Sequence, residues 1–594
     1  MLPQRREEWG KWKMNETSPA PQQCRPDIMG TRHVVAAGHY MAAQAGLQIL
    51  EAGGNAVDAG VAAGIATEVL ESELTGFAGV APIILYMADT AKIVTISGLG
   101  TWPKAVSRQD FEERYGNDIP KGVHRTVVPS APDAWITALE LYGTMSFGEV
   151  AAAAIRFARD GFPMYPMMAE LMAQATDSYA LWPSSTEVFL PGGRPPKTGE
   201  MFIQSDLART LQYMADEETA HAGNGREEGL KATRNAFYRG DIAATIVAFH
   251  RQHEGLLTAE DMAEFRVGVE PPVHTTFAGI DVFGCGPWCQ GPMLLEELNL
   301  VEGIDLRGLG HNSAGYIHAL AEAIKLAAAD RHAYFGDPRF VDVPIDELLS
   351  KDYAEKRRAM IRPDRAWPEM PPAGDAGGDA WPATEMTATP IGDAGFREGA
   401  FDTSYLCVVD KHGNAFSATP SDGGRFAPVV PGTGLVPSVR GKQNWMDGDH
   451  PSSIAPGKRP RLTPNPALAI EDGRMVMPFG TPGSDVQTQA MLQVFLNMAV
   501  WDLGPQAAVE APRFATYCFP SSDMPHDYVP GLMKIESRVD GAVGDELSAL
   551  GHKVEWWPDR FWSAGSVCAI RKDLETGLLC AGADNRRTAY AVGW

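Results

Sequence analysis

A layered α/β sandwich is the fold predicted from this sequence, and three observations predict it. Residues 130–360 read mostly as helices, the chain from Thr403 onward turns to strands, and a hairpin of buried strands lies within the first hundred residues. The sheets must therefore draw on both sides of residue 402. At 594 residues the chain exceeds one ordinary hydrophobic core, so either two domains or one large layered domain is expected.

Residues 1–30 read as a polar N-terminal arm. From His33 the chain organises: apolar spacing over 41–51 predicts a helix that ends at Gly53-Gly54. Asn55 is placed to cap a second helix over 56–70, which is small and apolar on every face and so is expected to be buried. Val80-Ala81-Pro82 leads into strands over 83–87 and 93–96. Helices are predicted over 131–142, 147–160, 167–175, 205–217, 239–251, 314–334 and 345–361, interrupted by a short strand pair at 275–284. Residues 363–400 are dense in Pro, Gly and Asp without apolar periodicity and read as a linker. Strands follow over 403–410, 415–420, 467–470 and 474–479, then a helix over 487–500, then strands near 533–536, 553–556, 565–571 and 577–582.

Composition narrows the function. A formal charge of −24 argues against nucleic acid or an anionic membrane as partner. Seven scattered cysteines, an odd number, favour reduced thiols, with a Cys285–Cys289 pair left open. That pair has neither a second pair nor histidines at ligand spacing, so no metal is expected. Met1 to Asp27 has no apolar core like that of a signal peptide, and no run approaches the length of a spanning helix. A cytoplasmic protein is expected.

The most informative stretch runs from Phe401 through Asp402, Thr403, Ser404 and Tyr405 to Asp410, then turns at Gly413-Asn414 into a second strand. A hydroxyl residue opening a strand straight after a linker suits a self-cleaving N-terminal nucleophile. Cutting the Asp402–Thr403 bond would free an α-amine of pKa about 7.7–8 beside the hydroxyl, able to take its proton near neutrality. The same stretch also suits an ordinary β-branched residue at a strand start, and both readings stay open on these residues alone. Other nucleophile signals are missing. Gly98-Leu99-Gly100 and Gly308-Leu309-Gly310 lack the third glycine of a dinucleotide fingerprint, and no Gly-x-Ser-x-Gly elbow or His-Glu-x-x-His occurs. Gly480-Thr481-Pro482-Gly483-Ser484, between a strand and a helix, offers a turn whose backbone N–H groups suit an oxyanion, with a helix N-terminus behind it.

Several segments in one order carry a family likeness: Gly53-Gly54-Asn55-Ala56-Val57-Asp58-Ala59, Pro129-Ser130-Ala131-Pro132, Ala236-Phe237-Tyr238-Arg239-Gly240, Phe335-Gly336-Asp337-Pro338, the strand-turn at 403–414, Gly457-Lys458-Arg459-Pro460, Gly480–Ser484 and Ala511-Pro512-Arg513. From residue 33 to 594 the chain resembles the γ-glutamyltransferase family of self-processing N-terminal-nucleophile hydrolases. That resemblance implies a four-layer αββα sandwich. It also implies cleavage between Asp402 and Thr403 into a large subunit, 31–402, with a mobile linker over 363–402, and a small subunit, 403–594. The two together would form one αββα domain, a heterodimer, with pairing of two heterodimers left open. Thr403 would cut the precursor and attack a small-molecule amide, with no cofactor. Ser421 falls where the family places a threonine that hydrogen-bonds the nucleophile, and Gly483 and Ser484 fall on its oxyanion turn.

The substrate positions depart from the family. Its Gly-Arg-Glu, whose arginine grips the glutamyl α-carboxylate, here reads Gly98-Leu99-Gly100. Its Ser-Ser pair reads Leu462-Thr463. The stretch that offers an asparagine and an acid to the α-amino group reads Gly423 and Val439-Arg440-Gly441-Lys442. Replacing arginine by leucine removes a carboxylate fork, and replacing acid by base removes the ammonium's partner. Leu99, Gly423, Arg440 and Thr463 are thus the positions expected to set the substrate, with Arg425, Arg440 and Arg461 as candidates for an anion site from another direction or as structural arginines. The expected function is a threonine amidohydrolase or acyltransferase acting on a non-γ-glutamyl amide. The alternatives are a true γ-glutamyl transferase or glutathione hydrolase with a rearranged clamp, and an unprocessed binding protein.

Overall fold

The computed structural model describes residues 23–594 except 117, 379, 382–386 and 391–401. Its centre is two seven-stranded sheets. The first runs, in spatial order, Tyr590–Gly593, Val34–Ala37, Leu406–Val409, Ala415–Ala418, Ile83–Met87, Lys92–Ile96 and Val269–Glu270. The second runs Ile28–Gly30, Leu579–Ala583, Cys568–Asp573, Met475–Gly480, Ala467–Glu471, Ile280–Gly284 and Val273–Phe277. All these pairings are antiparallel, and each sheet takes strands from both sides of residue 402.

Alternation along the strands explains the layers. Leu406 and Val408 enter an apolar core with Val35, Ala37 and the helices Tyr40–Glu51 and Ala56–Leu70. Cys407 and Val409, one position out of phase, enter a different core with Val34, Ala36, and Leu468, Val476 and Ile570 of the facing sheet. Side chains point to opposite faces in turn, so one strand serves two cores. A third core buries the outer face of the second sheet under Gly291–Glu302, Ala314–Tyr334 and Gln487–Ala499. Helix, sheet, sheet, helix is the four-layer αββα sandwich of the N-terminal-nucleophile hydrolases.

Local signals account for most elements. Asn55 accepts from Val57 and Asp58 N–H while the Asp58 carboxylate accepts from Asn55 N–H, a complete capping box, and every residue of the helix it starts is buried. The differences from the sequence reading are also local. Ser350 caps a new turn, so the helix expected over 345–361 is two short ones, Ile345–Leu348 and Lys351–Arg358. The strand pair expected at 275–284 spans Val273–Phe277 and Ile280–Gly284 around Ala278-Gly279. Helices Arg226–Tyr238 and Gly291–Glu302 and strands Val34–Ala37 and Thr75–Val80 escaped the sequence reading. The strands are short and buried, and buried strands lack the alternation by which strands are recognised.

The expected arm stops short of residue 30, because Ile28–Gly30 pairs with Leu579–Ala583 as an edge strand; residues 1–22 lie outside the described residues. The expected linker has no regular structure over its described part, yet it is held. Ala366 N–H donates to Leu550 O at 2.7 Å, Gly374 N–H to Asp330 Oδ1 at 2.7 Å, and Trp381 is buried. Its residues 379, 382–386 and 391–401 lie outside the described residues. Among the described residues no helix is long and apolar enough to cross a membrane.

One buried acid sets a pH dependence for the fold. Burial pushes the Glu297 carboxyl up to about 8, although Thr488 donates to it at 2.9 Å. Between the ordinary glutamate range and pH 8 the folded chain keeps a proton that the unfolded chain releases, so stability falls as pH rises through that window. Glu297→Gln is expected to remove this slope, gaining roughly 3–5 kcal/mol on wild type between pH 5 and pH 8. Denaturant melts of both proteins at the two pH values check it, and parallel losses would reject it.

Candidate active site

Thr403 stands just before the strand Leu406–Val409 and is buried, as are Asp402 and Ser404. The strand expected from residue 403 begins at Leu406; Thr403 itself makes an isolated antiparallel bridge to Ser421. Their hydroxyls lie 2.8 Å apart, and both hydrogen-bond the carbonyl oxygen of Asp402. Thr403 and Ser421, singled out separately in the sequence, thus converge on the peptide bond that precedes Thr403. Arg587 Nη1 donates to the Thr403 carbonyl at 3.3 Å, and Ser404 N–H to Pro420 O at 3.0 Å.

A buried charge cluster surrounds this bond. Arg440, wholly buried, places Nη2 3.3 Å from the Asp402 carbonyl oxygen and 3.2 Å from Asp402 Oδ1. The same nitrogen donates to Ser421 Oγ, and Arg440 Nε lies 3.0 Å from Asp422 Oδ1. Lys442 Nζ lies 3.1 Å from Asp402 Oδ2 and 3.5 Å from Asp523 Oδ2. Burial raises the carboxyls of Asp422 and Asp523 above the aspartate range, opposed by Arg440 and Lys442 and reinforced by the Asp402 charge. Asp422 has φ 83°, and the strand register shifts between Ser421 and Asp422. Such a bulge re-aims consecutive side chains, here Ser421 toward Thr403 and Asp422 toward Arg440.

The turn after Met475–Gly480 reaches the same end of the sheets. A Cβ on Gly480 would come within 2.3 Å of the Tyr405 ring, two residues from Thr403. Gly483 at φ 135° and Ser484 at φ 50° then lead into a short 3₁₀ turn and the helix Gln487–Ala499. Among the described residues neither the Gly483 nor the Ser484 N–H donates to a protein acceptor. Gln290 braces the turn: it donates to Ser484 O at 2.9 Å and Thr463 O at 2.8 Å, and accepts from Arg331 at 2.9 Å. Arg331 also pairs with Asp485 at 2.7 Å.

The remaining expected substrate positions divide. Leu99 lies in a small apolar cluster with Val80, Trp288, Cys289 and Leu462; Val80 pairs with Ser421, so this cluster borders the site. Gly423 packs on the Glu73 carbonyl, where a Cβ would meet the oxygen at 1.6 Å. Thr463 Oγ1 accepts from Gln443 at 3.0 Å. Of the three arginines considered, Arg440 alone touches Asp402 and Ser421. Arg425 pairs with Glu73 at 2.6 Å, whose carboxyl burial lifts to about 7, and Arg461 donates to Arg331 O at 3.1 Å.

Sequence reasoning did not single out Lys442, Asp422, Asp523, Gln290, Arg331 or Arg587 as site residues. Two of them lie close to residues it did single out, Asp422 between Ser421 and Gly423 and Lys442 two positions from Arg440, and that proximity was the one available signal. Cys285 and Cys289 are free, buried thiols. His318, Glu322 and His552 group closely, but other contacts already engage them: the two rings hydrogen-bond at 2.9 Å, the other His318 nitrogen meets Arg362 O at 2.7 Å, and Lys325 Nζ pairs with Glu322 at 2.6 Å.

Stacked antiparallel sheets sandwiched by helices make the fold of the N-terminal-nucleophile hydrolases. The model of the γ-glutamyltranspeptidase family matches residues 42–594, and the chain belongs to that family of amide-bond hydrolases and transferases. It is 30% identical to an acylase ACY 1 proenzyme of Pseudomonas sp. (strain SE83), over 98% of each chain. It is also 30% identical to a glutathione hydrolase-like YwrD proenzyme of Bacillus subtilis (strain 168), covering 95% of this chain and 99% of that one. The crystal structure of a cephalosporin acylase from Bacillus halodurans superposes with a TM-score of 0.83 at 28% identity, over 98% of each chain.

Proposed function

We propose that this chain is a self-processing threonine amidohydrolase or acyltransferase that works through an acyl-enzyme on Thr403. The observation that carries this reading is the convergence of the Thr403 and Ser421 hydroxyls on the Asp402 carbonyl. In processing, Thr403 Oγ1 attacks that carbonyl carbon, the C–N bond to Thr403 breaks, and the departing nitrogen takes a proton. Water then hydrolyses the resulting ester, leaving a carboxylate on Asp402 and a free α-amine and hydroxyl on Thr403. In turnover the α-amine takes the hydroxyl's proton as Oγ1 attacks a substrate amide. Ser421 orients the nucleophile, and the Gly483 and Ser484 N–H groups receive the oxyanion. Water or an amine then releases the acyl group. The proenzyme names of the relatives support processing.

The acyl donor in this reading is not γ-glutamyl, since Leu99 sits in an apolar cluster where the family has its carboxylate-gripping arginine. A second reading, a γ-glutamyl enzyme with a rearranged clamp, draws on the buried Arg440 beside Asp402. Intact mass with N-terminal sequencing tests the first step. The expected result is a 402-residue chain and a 192-residue chain beginning Thr-Ser-Tyr-Leu; a lasting single chain would leave only a binding protein. γ-Glutamyl-p-nitroanilide then separates the two donors. Loss of the arginine fork predicts kcat/KM lower by about 30-fold or more than for the preferred acyl group, and brisk turnover would favour the second reading.

A further inference from the structure

We propose that Asp402 is a built-in stand-in for the substrate's acyl group, and that the mature site takes acyl groups carrying a carboxylate at succinyl spacing, held by Arg440 and Lys442. This deepens the function proposed above and rests on it.

In the uncut chain the Asp402 carbonyl is the one that Thr403 would attack, so Asp402 occupies the place of an acyl donor. Two carbons, Cα and Cβ, separate that carbonyl from the side-chain carboxylate, which is the spacing of a succinyl group. A γ-glutamyl donor has three. The carboxylate is gripped on both oxygens, by Arg440 Nη2 at 3.2 Å and by Lys442 Nζ at 3.1 Å. Arg440 Nη2 also reaches the carbonyl oxygen at 3.3 Å, so one nitrogen measures the distance between the two groups and favours the short spacer.

A substrate carbonyl can reach Thr403 Oγ1 only where the Asp402 carbonyl stood, so turnover requires Asp402 to withdraw. Arg440 and Lys442 are buried and keep Asp422 and Asp523 as their other partners. Arg440 Nη2, which keeps Ser421 Oγ, and Lys442 Nζ, which keeps Asp523, would then each face the vacated place with one acceptor fewer, and losing an acceptor is costly for a buried donor. A carboxylate at the same spacing restores both contacts, whereas an uncharged acyl group restores neither.

The test compares N-succinyl-, N-glutaryl-, N-acetyl- and γ-glutamyl-p-nitroanilide on the processed enzyme. The expected order places succinyl about 30-fold above acetyl in kcat/KM and above both five-carbon donors. Lys442→Met is expected to lower the succinyl-to-acetyl ratio by about tenfold or more; if it does not fold, the wild-type series decides. Equal rates, or preference for acetyl or γ-glutamyl, overturn the proposal. If a correctly cut protein releases no p-nitroaniline, calorimetric titration with succinamate decides, binding supporting the assignment and no binding overturning it. A chain that stays uncut overturns the function proposed above and this inference with it. A cut, active enzyme indifferent to the carboxylate overturns this inference alone.

Discussion

Thr403→Ala is expected to remain a single chain of 594 residues and to lose amide turnover completely. In the proposed mechanism Oγ1 is the atom that attacks in both reactions, and in turnover Ser421 Oγ has no adjacent chain end to supply a base. Residues that act as one nucleophilic unit fail together, so the loss should be far larger than that of a binding contact. Thr403→Ser keeps the hydroxyl and is expected to cut and turn over at a reduced rate. Intact mass over days, with an anilide assay of each sample, measures both. A small chain appearing in the alanine variant would move the nucleophile elsewhere.

Arg440→Met is expected to have the next largest effect, on processing and stability together. The guanidinium contacts the Asp402 carbonyl, the Asp402 and Asp422 carboxylates and the Ser421 hydroxyl. Losing a donor aimed at an oxygen that becomes an oxyanion slows such a step by about 10²–10³-fold. Losing the partner of buried carboxylates costs about 3–5 kcal/mol. The stability loss should shrink at low pH. Burial already raises the Asp422 carboxyl, and without Arg440 it rises further, so Asp422 takes up a proton and is no longer a buried charge. The variant should therefore melt closer to wild type at pH 5 than at pH 8. Cleavage time courses and thermal melts at both values check this, and Arg440→Lys should fall between. Wild-type cleavage and melting in the methionine variant would show that Arg440 clamps nothing.

The readability of the site followed sequence distance. The Gly413-Asn414 turn and the Gly480–Ser484 turn announce themselves by local chemistry, because a reversal and a glycine turn are each written in a few adjacent residues, whereas Thr403 was a local candidate with two readings that the family likeness had to separate. Ser421 and Leu99 were found by the likeness to a family. Arg440 was legible as a candidate, but whether it served an anion site or the structure was not, since its partners, Asp402 and Asp422, lie 38 and 18 positions away. Arg587 reaches Thr403 across 184 positions. Gln290 meets Ser484 across 194. Periodicity says nothing about such meetings.

By itself the sequence determined the class of fold and the place where it divides into helical and strand-rich halves. These depend on short-range patterns: turn chemistry, capping and apolar spacing. The tertiary structure alone decided the order of the strands within each sheet, that the hydroxyls of Thr403 and Ser421 meet at one carbonyl, and that Arg440 and Lys442 hold the Asp402 carboxylate. The reason is physical. Buried charges must find partners wherever the packed layers bring them, and that pairing is set by the stacking of two sheets rather than by neighbours along the chain.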